Sequence, residues 1–318
     1  MPWDWSKISV ATNEMFIEKK VEDSVFSSNV LLDLLRRKGI KKKGGSQISQ
    51  PVNLGRNTNV GSYYGHDILS NDPMETLAKA TLEWSQYYGA VNISGREQRI
   101  NEGSPEAIFD LIDTELEVVK ESLMECMTQD VFGDGTGNGG KDLDGLLEAI
   151  DDGTNYATYE GINGSTYTSW KANYFANGGT GRALTLQLLG RARSATLSKG
   201  QKANVGVTTV ALLDKLTELV TPLTIVAESA QKPNIGFDSV TFQRTPVFAD
   251  ENCPAGRFFW LQLRDIQLVV HPSCDFLFVP FAKPINQDAQ VAYILWMGNL
   301  FCKRRNSHAQ IRDLDADL

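Results

Sequence analysis

The chain has 318 residues, a formal net charge of −8, and 42% hydrophobic and 22% charged residues, which is typical of a globular protein with two or more domains. It contains no apolar run of 18 residues, so a transmembrane helix and a membrane partner are not predicted. The four cysteines form no C-x-x-C pair, and residues 1–10 lack a signal-peptide pattern, so zinc binding and a disulfide framework are not predicted either.

A cluster of basic residues lies near the beginning of the chain, after residues 1–35, which predict an arm with some helix. Nine Lys/Arg and six Asp/Glu give residues 1–50 a balance of +3, so a polyanion would be contacted locally, through its phosphate groups in the case of DNA. A solvated, flexible linker is the alternative. The basic cluster consists of Arg36, Arg37, Lys38, Lys41, Lys42 and Lys43.

The sequence predicts a long extended hairpin over residues 46–94. An extended stretch precedes the turn-forming residues 55–61, and an extended or partly helical stretch returns after them; the segment is polar for its length, so it would bury little against its own chain. Such an arm usually packs on another subunit, whereas an ordinary edge of an antiparallel sheet is the alternative. The residues expected at the contact between subunits are Ile48, Val52, Leu54, Arg56, Asn57, Tyr63, Tyr64, Trp84, Tyr87 and Tyr88.

A single long helix is predicted over residues 104–132. Ser104 and Pro105 suit a helix start, and apolar residues then recur at helical spacing without an interrupting Gly or Pro. At 1.5 Å per residue this helix would span roughly 40 Å, so we expect it to act as a strut for other elements. A long surface helix of an enzyme is the alternative.

The glycine-rich residues 133–142 invite two functional interpretations, and both fail. In a phosphate-binding loop, Asp142 would stand where Ser or Thr is required, and the loop follows a helix rather than a strand. In a calcium loop, Gly145 would stand where the bidentate Glu is required. We therefore expect a flexible linker, and the sequence predicts no metal and no cofactor.

The remaining chain predicts a compact α/β or α+β block over residues 143–245, followed by a strand-rich last part. The block contains helical patterns near residues 184–192 and 211–219. Residues 291–302 are apolar at both alternating positions, which predicts a strand buried on both faces.

A catalytic constellation is not recognisable. The three histidines, His66, His271 and His308, are scattered, and the chain has no G-x-S-x-G, H-E-x-x-H or dinucleotide-binding motif. The sequence therefore favours an assembly protein, with an α+β enzyme or a carbohydrate-binding module as the alternative from a different class.

The order of these elements resembles the major capsid protein of tailed bacteriophages, which has the Hong-Kong-type capsid fold. The local segments that carry the resemblance are residues 132–137, 143–146, 161–167, 245–248, 253–256 and 293–304. The resemblance implies an α+β fold with five parts: an N-terminal arm (1–45), an extended loop (46–103), the spine helix and link of a peripheral domain (104–142), an axial domain (143–250), and peripheral strands with a C-terminal tail (251–318).

The resemblance also implies a function. Many copies would assemble as pentamers and hexamers into an icosahedral shell around a double-stranded DNA genome. The shell would contact this DNA through non-specific electrostatic interactions. Other implied partners are a separate scaffolding protein, a portal and a possible decoration protein. The chain would be made in the host bacterial cytoplasm and located in the virion, and it would not be an enzyme. Encapsulin shells share this fold and are the alternative.

Covalent crosslinks between subunits, which some relatives form through a loop lysine, are not expected. The only lysine between Gly45 and Gly103 is Lys79, which is remote from the turn at residues 55–61. Reacting atoms must approach to about 3–3.5 Å, so non-covalent contacts alone would hold the shell.

Overall fold

The computed structural model describes residues 30–96, 99, 105–198, 200–224 and 239–318. The predicted arm therefore lies largely outside the described residues, apart from its last helical turns. The helices are α1 (Val30–Arg37), α2 (Pro105–Val131), α3 (Gly137–Gly140), α4 (Leu146–Ala149), α5 (Leu186–Ala195) and α6 (Val210–Thr224). No described helix is both long and apolar enough to cross a membrane.

The strands come in seventeen short to medium segments along the described chain. They are β1 (Ile40–Lys41), β2 (Ile48–Asn53), β3 (Leu77–Leu82), β4 (Ser85–Ser94), β5 (Thr158–Tyr159), β6 (Ile162–Asn163), β7 (Asn173–Phe175), β8 (Arg182–Ala183), β9 (Val205–Thr208), β10 (Ser239–Phe242), β11 (Thr245–Ala249), β12 (Phe258–Leu261), β13 (Ile266–Val270), β14 (Leu277–Ala282), β15 (Ala289–Cys302), β16 (Ala309–Ile311) and β17 (Leu314–Asp315).

The long helix is present almost as predicted. Helix α2 has 27 residues, from Pro105 to Val131, and it is uninterrupted because neither Gly nor Pro follows its first residue. Its inner face buries Leu123, Met127 and Val131, while acidic side chains occupy the outer face. The helix therefore lies along the molecule with one apolar stripe against the core.

Helix α2 covers one face of a five-stranded sheet. Strand β15 is the centre of this sheet, with β4 along one edge and β13 and β14 along the other. Strands β4 and β15 are antiparallel and pair without interruption from Ser85 opposite Gly298 to Ser94 opposite Ala289. The prediction that β15 is buried on both faces holds for its end at residues 298–302, but Tyr293 is exposed because nothing described covers that face.

A second sheet has six strands in the order β10-β11-β9-β12-β16-β7. Helices α5 and α6 pack on one face, around Trp260, and the other face joins the core under helix α2 through Phe132 and Phe259. Strands from residues 143–250 and from residues 251–318 are interleaved in this sheet. The boundary predicted after residue 250 therefore does not separate the two sheets, because β12 and β16 from the last part of the chain pair with β9 and β7 from the preceding block.

The predicted hairpin is shorter than expected. Strands β2 and β3 pair from Ile48 opposite Leu82 to Asn53 opposite Leu77, whereas β4 belongs to the first sheet. The expectation that the segment buries little against its own chain is wrong at the hairpin base, where Ile48, Val52 and Leu54 are buried in the core. Alternating apolar residues on both strands give the base an inward face.

The glycine-rich residues 133–142 form a fixed turn, so the expectation of a flexible linker is wrong. The Asp134 carboxylate accepts hydrogen bonds from the Thr136 N–H at 3.1 Å and from the Tyr156 hydroxyl at 2.7 Å. Gly145 then allows a close approach, since a Cβ at this position would clash with the carbonyl oxygen of Asp130. The chain thus folds back against the end of helix α2.

Candidate assembly interface

The part of the hairpin beyond its strands, residues 55–76, is here called the hairpin tip. It carries an unusual number of exposed apolar side chains, among them Tyr64 at 89% exposure and Ile68 at 99%. Polar contacts hold its two legs together: the Asn59 side-chain amide donates to the Asp72 carbonyl oxygen at 2.6 Å. Exposed apolar patches are typical of protein–protein interaction sites, so the hairpin tip is a candidate contact surface.

Four of the ten residues predicted at the contact between subunits lie in the hairpin tip: Arg56, Asn57, Tyr63 and Tyr64. All four are exposed. Ile48, Val52 and Leu54 lie instead in the core of their own chain.

The three remaining aromatic residues lie beyond the hairpin. Trp84 donates from Nε1 to the Gly45 carbonyl oxygen at 3.1 Å and packs edge-on against His271. Tyr87 is buried, and its hydroxyl donates to the Asp130 carboxylate at 2.7 Å. Burial first, and then the bond to Asp130, raise the pKa of Tyr87 far above its ordinary value, so it stays protonated. Tyr88 is exposed.

Tyr88 belongs to an apolar surface that sequence reasoning missed. Tyr87 and Trp296 contact each other on the face under helix α2, so their neighbours point to the opposite face, because side chains alternate along a strand. The register places Tyr88 beside Leu295 and Leu277, and Ala90 beside Tyr293 and Val279. We call this surface the open face; it consists of Tyr88, Ala90, Leu277, Val279, Tyr293 and Leu295.

The open face is only partly covered by its own chain, since Tyr88, Leu277 and Tyr293 are exposed. Ile285, in the loop that follows β14, is fully exposed as well. The apolar residues at both alternating positions of β15 are the sequence pattern that indicates this surface. That pattern predicts burial on both faces within one chain, whereas the structure leaves one face partly exposed.

The basic cluster is anchored to the first sheet, so the flexible linker expected as its alternative is wrong. Strand β1 pairs in parallel with β13, and the Lys42 N–H donates to the Val270 carbonyl oxygen at 3.1 Å. This pairing places the Lys41 ammonium 3.0 Å from the Asp275 carboxylate. Arg37 pairs with Asp33 at 2.7 Å, one helical turn away.

Two members of the basic cluster differ from the others. Within the described part of the chain, Lys38 and Lys43 have no carboxylate at ion-pair distance, and both are exposed. The Lys42 ammonium donates to the Ser49 carbonyl oxygen at 3.1 Å. Internal ion pairs therefore neutralise part of the cluster, and Lys38 and Lys43 carry charge that solvent or a partner can meet.

A buried carboxylic acid lies where the end of β15 meets the turn around Arg305. Glu160 is 4% exposed, and its Oε1 accepts a hydrogen bond from the Cys302 N–H at 2.8 Å. Its Oε2 has no partner among the described residues. Burial raises the pKa of Glu160 to about 8, although the Cys302 N–H and the nearby Arg305 act in the opposite direction.

Arg305 and Asn299 organise the groups around this acid. The fully buried Arg305 donates to the carbonyl oxygens of Ala149 at 2.8 Å and Asp151 at 2.8 Å, which ties the end of helix α4 to the last strands. Asn299 donates to the Asp144 carboxylate at 2.8 Å. Burial, followed by the charge of Asp144, raises the pKa of Glu148 to about 8, so that pair holds a proton near neutral pH.

The described residues provide neither a metal site nor a grouping of the three histidines. No set of three or more His, Cys, Asp or Glu side chains in the described part is placed to hold a metal ion. His66 lies in the hairpin tip, and His271 packs on Trp84. His308 is fully buried and accepts a hydrogen bond from the Gln262 N–H, and burial lowers its pKa to about 4. It therefore serves packing.

Comparison with known proteins gives a match in fold only. No protein-family model and no curated protein sequence matches the chain. A chain of the capsid asymmetric unit of cyanophage A-1(L) is similar, with a TM-score of 0.72, 18% identity, and coverage of 90% of this chain and 93% of that one. The encapsulin of the holo-SrpI complex from Synechococcus elongatus PCC 7942 has a TM-score of 0.61, 12% identity, and coverage of 91% and 88%.

A chain from Mycobacterium phage Bobi has a TM-score of 0.58 and 10% identity, and the alignment covers 98% of this chain and 99% of that one. These similarities extend over nearly the whole length of each protein. They confirm the predicted α+β architecture as the Hong-Kong-type capsid fold.

Proposed function

We propose that this chain is a major capsid protein, many copies of which form a closed icosahedral shell around a phage double-stranded DNA genome. The observation that carries the proposal is the presence, on one chain with this fold, of two unsatisfied apolar surfaces: the hairpin tip and the open face. A soluble monomer rarely leaves both exposed, whereas a repeating assembly covers each with the other.

The hairpin tip of one subunit would pack on the open face of the next. This contact is heterologous, since different surfaces meet, so it generates rings when the rotation between subunits closes. Fully burying one large apolar side chain contributes about 1.5–3 kcal/mol, and part of that is lost to ordering the tip. Each contact is therefore modest, and the shell would be stabilised by the repetition of contacts.

The basic cluster would face the interior of the shell. Lys38 and Lys43 carry charge that no described carboxylate neutralises, and lysine ammonium groups contact phosphate without reading base sequence. The proposed partners are other copies in pentamers and hexamers, a separate scaffolding protein, a portal, a possible decoration protein and the packaged DNA. The chain would be made in the host cytoplasm and located in the virion.

An encapsulin-like cellular shell is the second candidate, and the match to an encapsulin over 91% of this chain favours it. The two candidates predict different contents for the shell. A capsid encloses DNA, whereas an encapsulin-like shell would enclose protein.

The test is assembly of the purified chain, alone and with candidate scaffolding and portal proteins, followed by size-exclusion chromatography and electron microscopy. We expect closed particles that protect DNA from nuclease when formed in infected cells. A monomer at every concentration, even with those partners present, would refute shell formation. Particles that contain protein and no DNA under the same conditions would favour the second candidate.

A further inference from the structure

Two arginines lie opposite each other at one end of the second sheet. In the pairing of β12 with β16, Phe258 lies opposite Ile311, so the next position outward places Arg257 opposite Arg312. Residues opposite each other on antiparallel strands share one face of the sheet, and like charges in this position destabilise it. Strand pairing alone therefore gives no reason for the two arginines.

One carboxylate serves this pair of positive charges. The Asp313 carboxylate lies 3.2 Å from Nε of Arg312, and it also accepts two backbone N–H groups of the loop at residues 177–179. Arg257 has no carboxylate at ion-pair distance within the described part of the chain, and it donates instead to the side-chain oxygen of Gln310. A chain with a net charge of −8 thus leaves one guanidinium group here without a counterion.

Partial burial makes the missing counterion costly. Burial lowers the pKa of Arg257, and the charge of Arg312 lowers it further. A guanidinium group nevertheless stays protonated in a protein, so the charge remains. A partly buried charge without an ion-pair partner is unfavourable, and an anion that binds beside it would relieve that cost.

Tyr174 provides a third hydrogen-bond donor beside the two guanidinium groups. Strand β7 pairs with β16 so that Tyr174 lies next to Gln310, and its hydroxyl oxygen accepts hydrogen bonds from Nη1 of Arg312 at 3.1 Å and from the Asn155 side-chain amide at 3.2 Å. These two bonds use both lone pairs of the oxygen. The O–H of Tyr174 then has no acceptor among the described residues, so it is free to donate to a ligand.

The backbone around these donors is fixed. The Arg312 N–H donates to the Phe175 carbonyl oxygen at 2.9 Å, and Nη2 of Arg182 donates to the carbonyl oxygens of Phe175 at 2.6 Å and Arg312 at 3.1 Å. Donors that are held in place before a ligand arrives bind it at a lower entropic cost. The Arg312 side chain is 39% exposed, so an anion can reach the site from solvent.

We propose that Arg257, Arg312 and Tyr174 form a binding site for a phosphate-type oxyanion, either free phosphate or the phosphodiester group of a nucleic acid. Guanidinium groups bind phosphate through paired N–H···O bonds, and a tetrahedral oxyanion offers acceptor oxygens to donors that approach from different directions. A carboxylate has only two oxygens, so it matches three donor groups less well. The site goes beyond the proposed shell function, and its occupation does not depend on assembly.

Calorimetric titration of the purified chain with sodium phosphate, at an ionic strength held constant with sodium chloride, tests the site. We expect the wild type to bind phosphate and Arg257→Gln to bind it roughly tenfold or more weakly, because charge-assisted hydrogen bonds are lost. The control Arg264→Gln removes an exposed arginine from the turn between β12 and β13 and should bind as the wild type does. Absence of binding to the wild type, equal affinity in Arg257→Gln, or an equal loss in Arg264→Gln would overturn the inference.

Thermal unfolding separates anion binding from a packing role of Arg257. In chloride, the melting temperature of Arg257→Gln should equal or exceed that of the wild type, because the substitution removes one charge of a repulsive pair. In phosphate, the melting temperature of the wild type should rise and that of Arg257→Gln should not, since a ligand stabilises only the protein that binds it. A melting temperature that Arg257→Gln lowers equally in both salts would show a packing role and overturn the inference.

A single-stranded DNA oligonucleotide distinguishes the two sources of the oxyanion. Oligonucleotide binding that phosphate displaces and that Arg257→Gln weakens more than Arg264→Gln would identify the phosphodiester group as the ligand. Phosphate binding that depends on Arg257, together with oligonucleotide binding that does not, would identify free phosphate. If neither ligand depends on Arg257, the site does not exist.

Discussion

Replacing Glu160 by glutamine should flatten the dependence of stability on pH. The buried Glu160 has its pKa raised from 4.5 to about 8, so the folded subunit holds a proton there that the unfolded chain releases above about pH 4.5. The stabilisation from this group is therefore complete below about pH 4.5, decreases as the pH rises towards 8, and is absent above it. Glutamine has the shape of the protonated acid and does not titrate.

The size of the effect follows from the same difference. At 1.36 kcal/mol for each pKa unit, the change from 4.5 to about 8 corresponds to ~5 kcal/mol between pH 4 and pH 9. This is an upper value, because a charged Glu160 can draw in water and relax its surroundings. The Asp144–Glu148 pair contributes a further decrease in the same direction, which should persist in Glu160→Gln.

The assay is urea denaturation of unassembled subunits at several values between pH 5 and pH 9. The wild-type free energy of unfolding should fall several kcal/mol more across this range than that of Glu160→Gln, and the two should agree most closely at pH 5. Glu75→Gln, at an exposed position in the hairpin tip, is the control and should follow the wild type. Parallel curves for wild type and Glu160→Gln would refute the assignment of a proton to this buried acid.

Three further outcomes are expected. Replacing residues 56–75 with an Asn-Gly turn should leave a folded subunit of nearly unchanged thermal stability that makes no particles by electron microscopy, since the hairpin base keeps its buried core. Normal particles would contradict the proposed packing of the hairpin tip on the next subunit. Replacing both Lys38 and Lys43 with Glu should lower the amount of packaged DNA in a salt-dependent way, as measured by nuclease protection. The control Lys141→Glu should leave it unchanged. An equal loss of DNA in both variants would contradict the proposal that the basic cluster faces the interior of the shell. Mature particles boiled in detergent should run as one band near 35.2 kDa, because Lys79 lies in β3 rather than in the hairpin tip; a ladder surviving boiling and reductant would disprove this.

Elements that depend on local signals were predicted well. Helix α2 was placed at residues 104–132 and is found at Pro105–Val131, because its apolar period and uninterrupted composition lie within the helix itself. Strand β15 was expected at residues 291–302 and is found at Ala289–Cys302 for the same reason. Arg56 and Asn57 were placed in the turn of the hairpin and are exposed there, because turn residues determine their surroundings locally.

Features that depend on distant contacts were not accessible. Gln86 and Met297 are in contact although 211 residues separate them in the sequence, so the residues near β4 do not indicate that it belongs to the first sheet. Glu160 follows a tyrosine in a short polar turn, and the groups that act on its buried carboxyl, Cys302 and Arg305, lie at the far end of the chain. The ion pair between Lys41 and Asp275 likewise requires the register of β1 on β13, which residue types alone do not specify.

The position of strand β16 has a consequence for how the chain folds during synthesis. Residues Ala309–Ile311 lie inside the second sheet, between β12 on one side and β7 on the other. The Asn173 side chain is hydrogen-bonded to the His308 carbonyl oxygen across a sequence separation of 135 residues. A ribosome must therefore release this late segment before β7 can join the sheet, and pairings of such high contact order form slowly. Chains that stop before residue 309 would lack an interior strand, so shells would be built from subunits whose synthesis has passed that point.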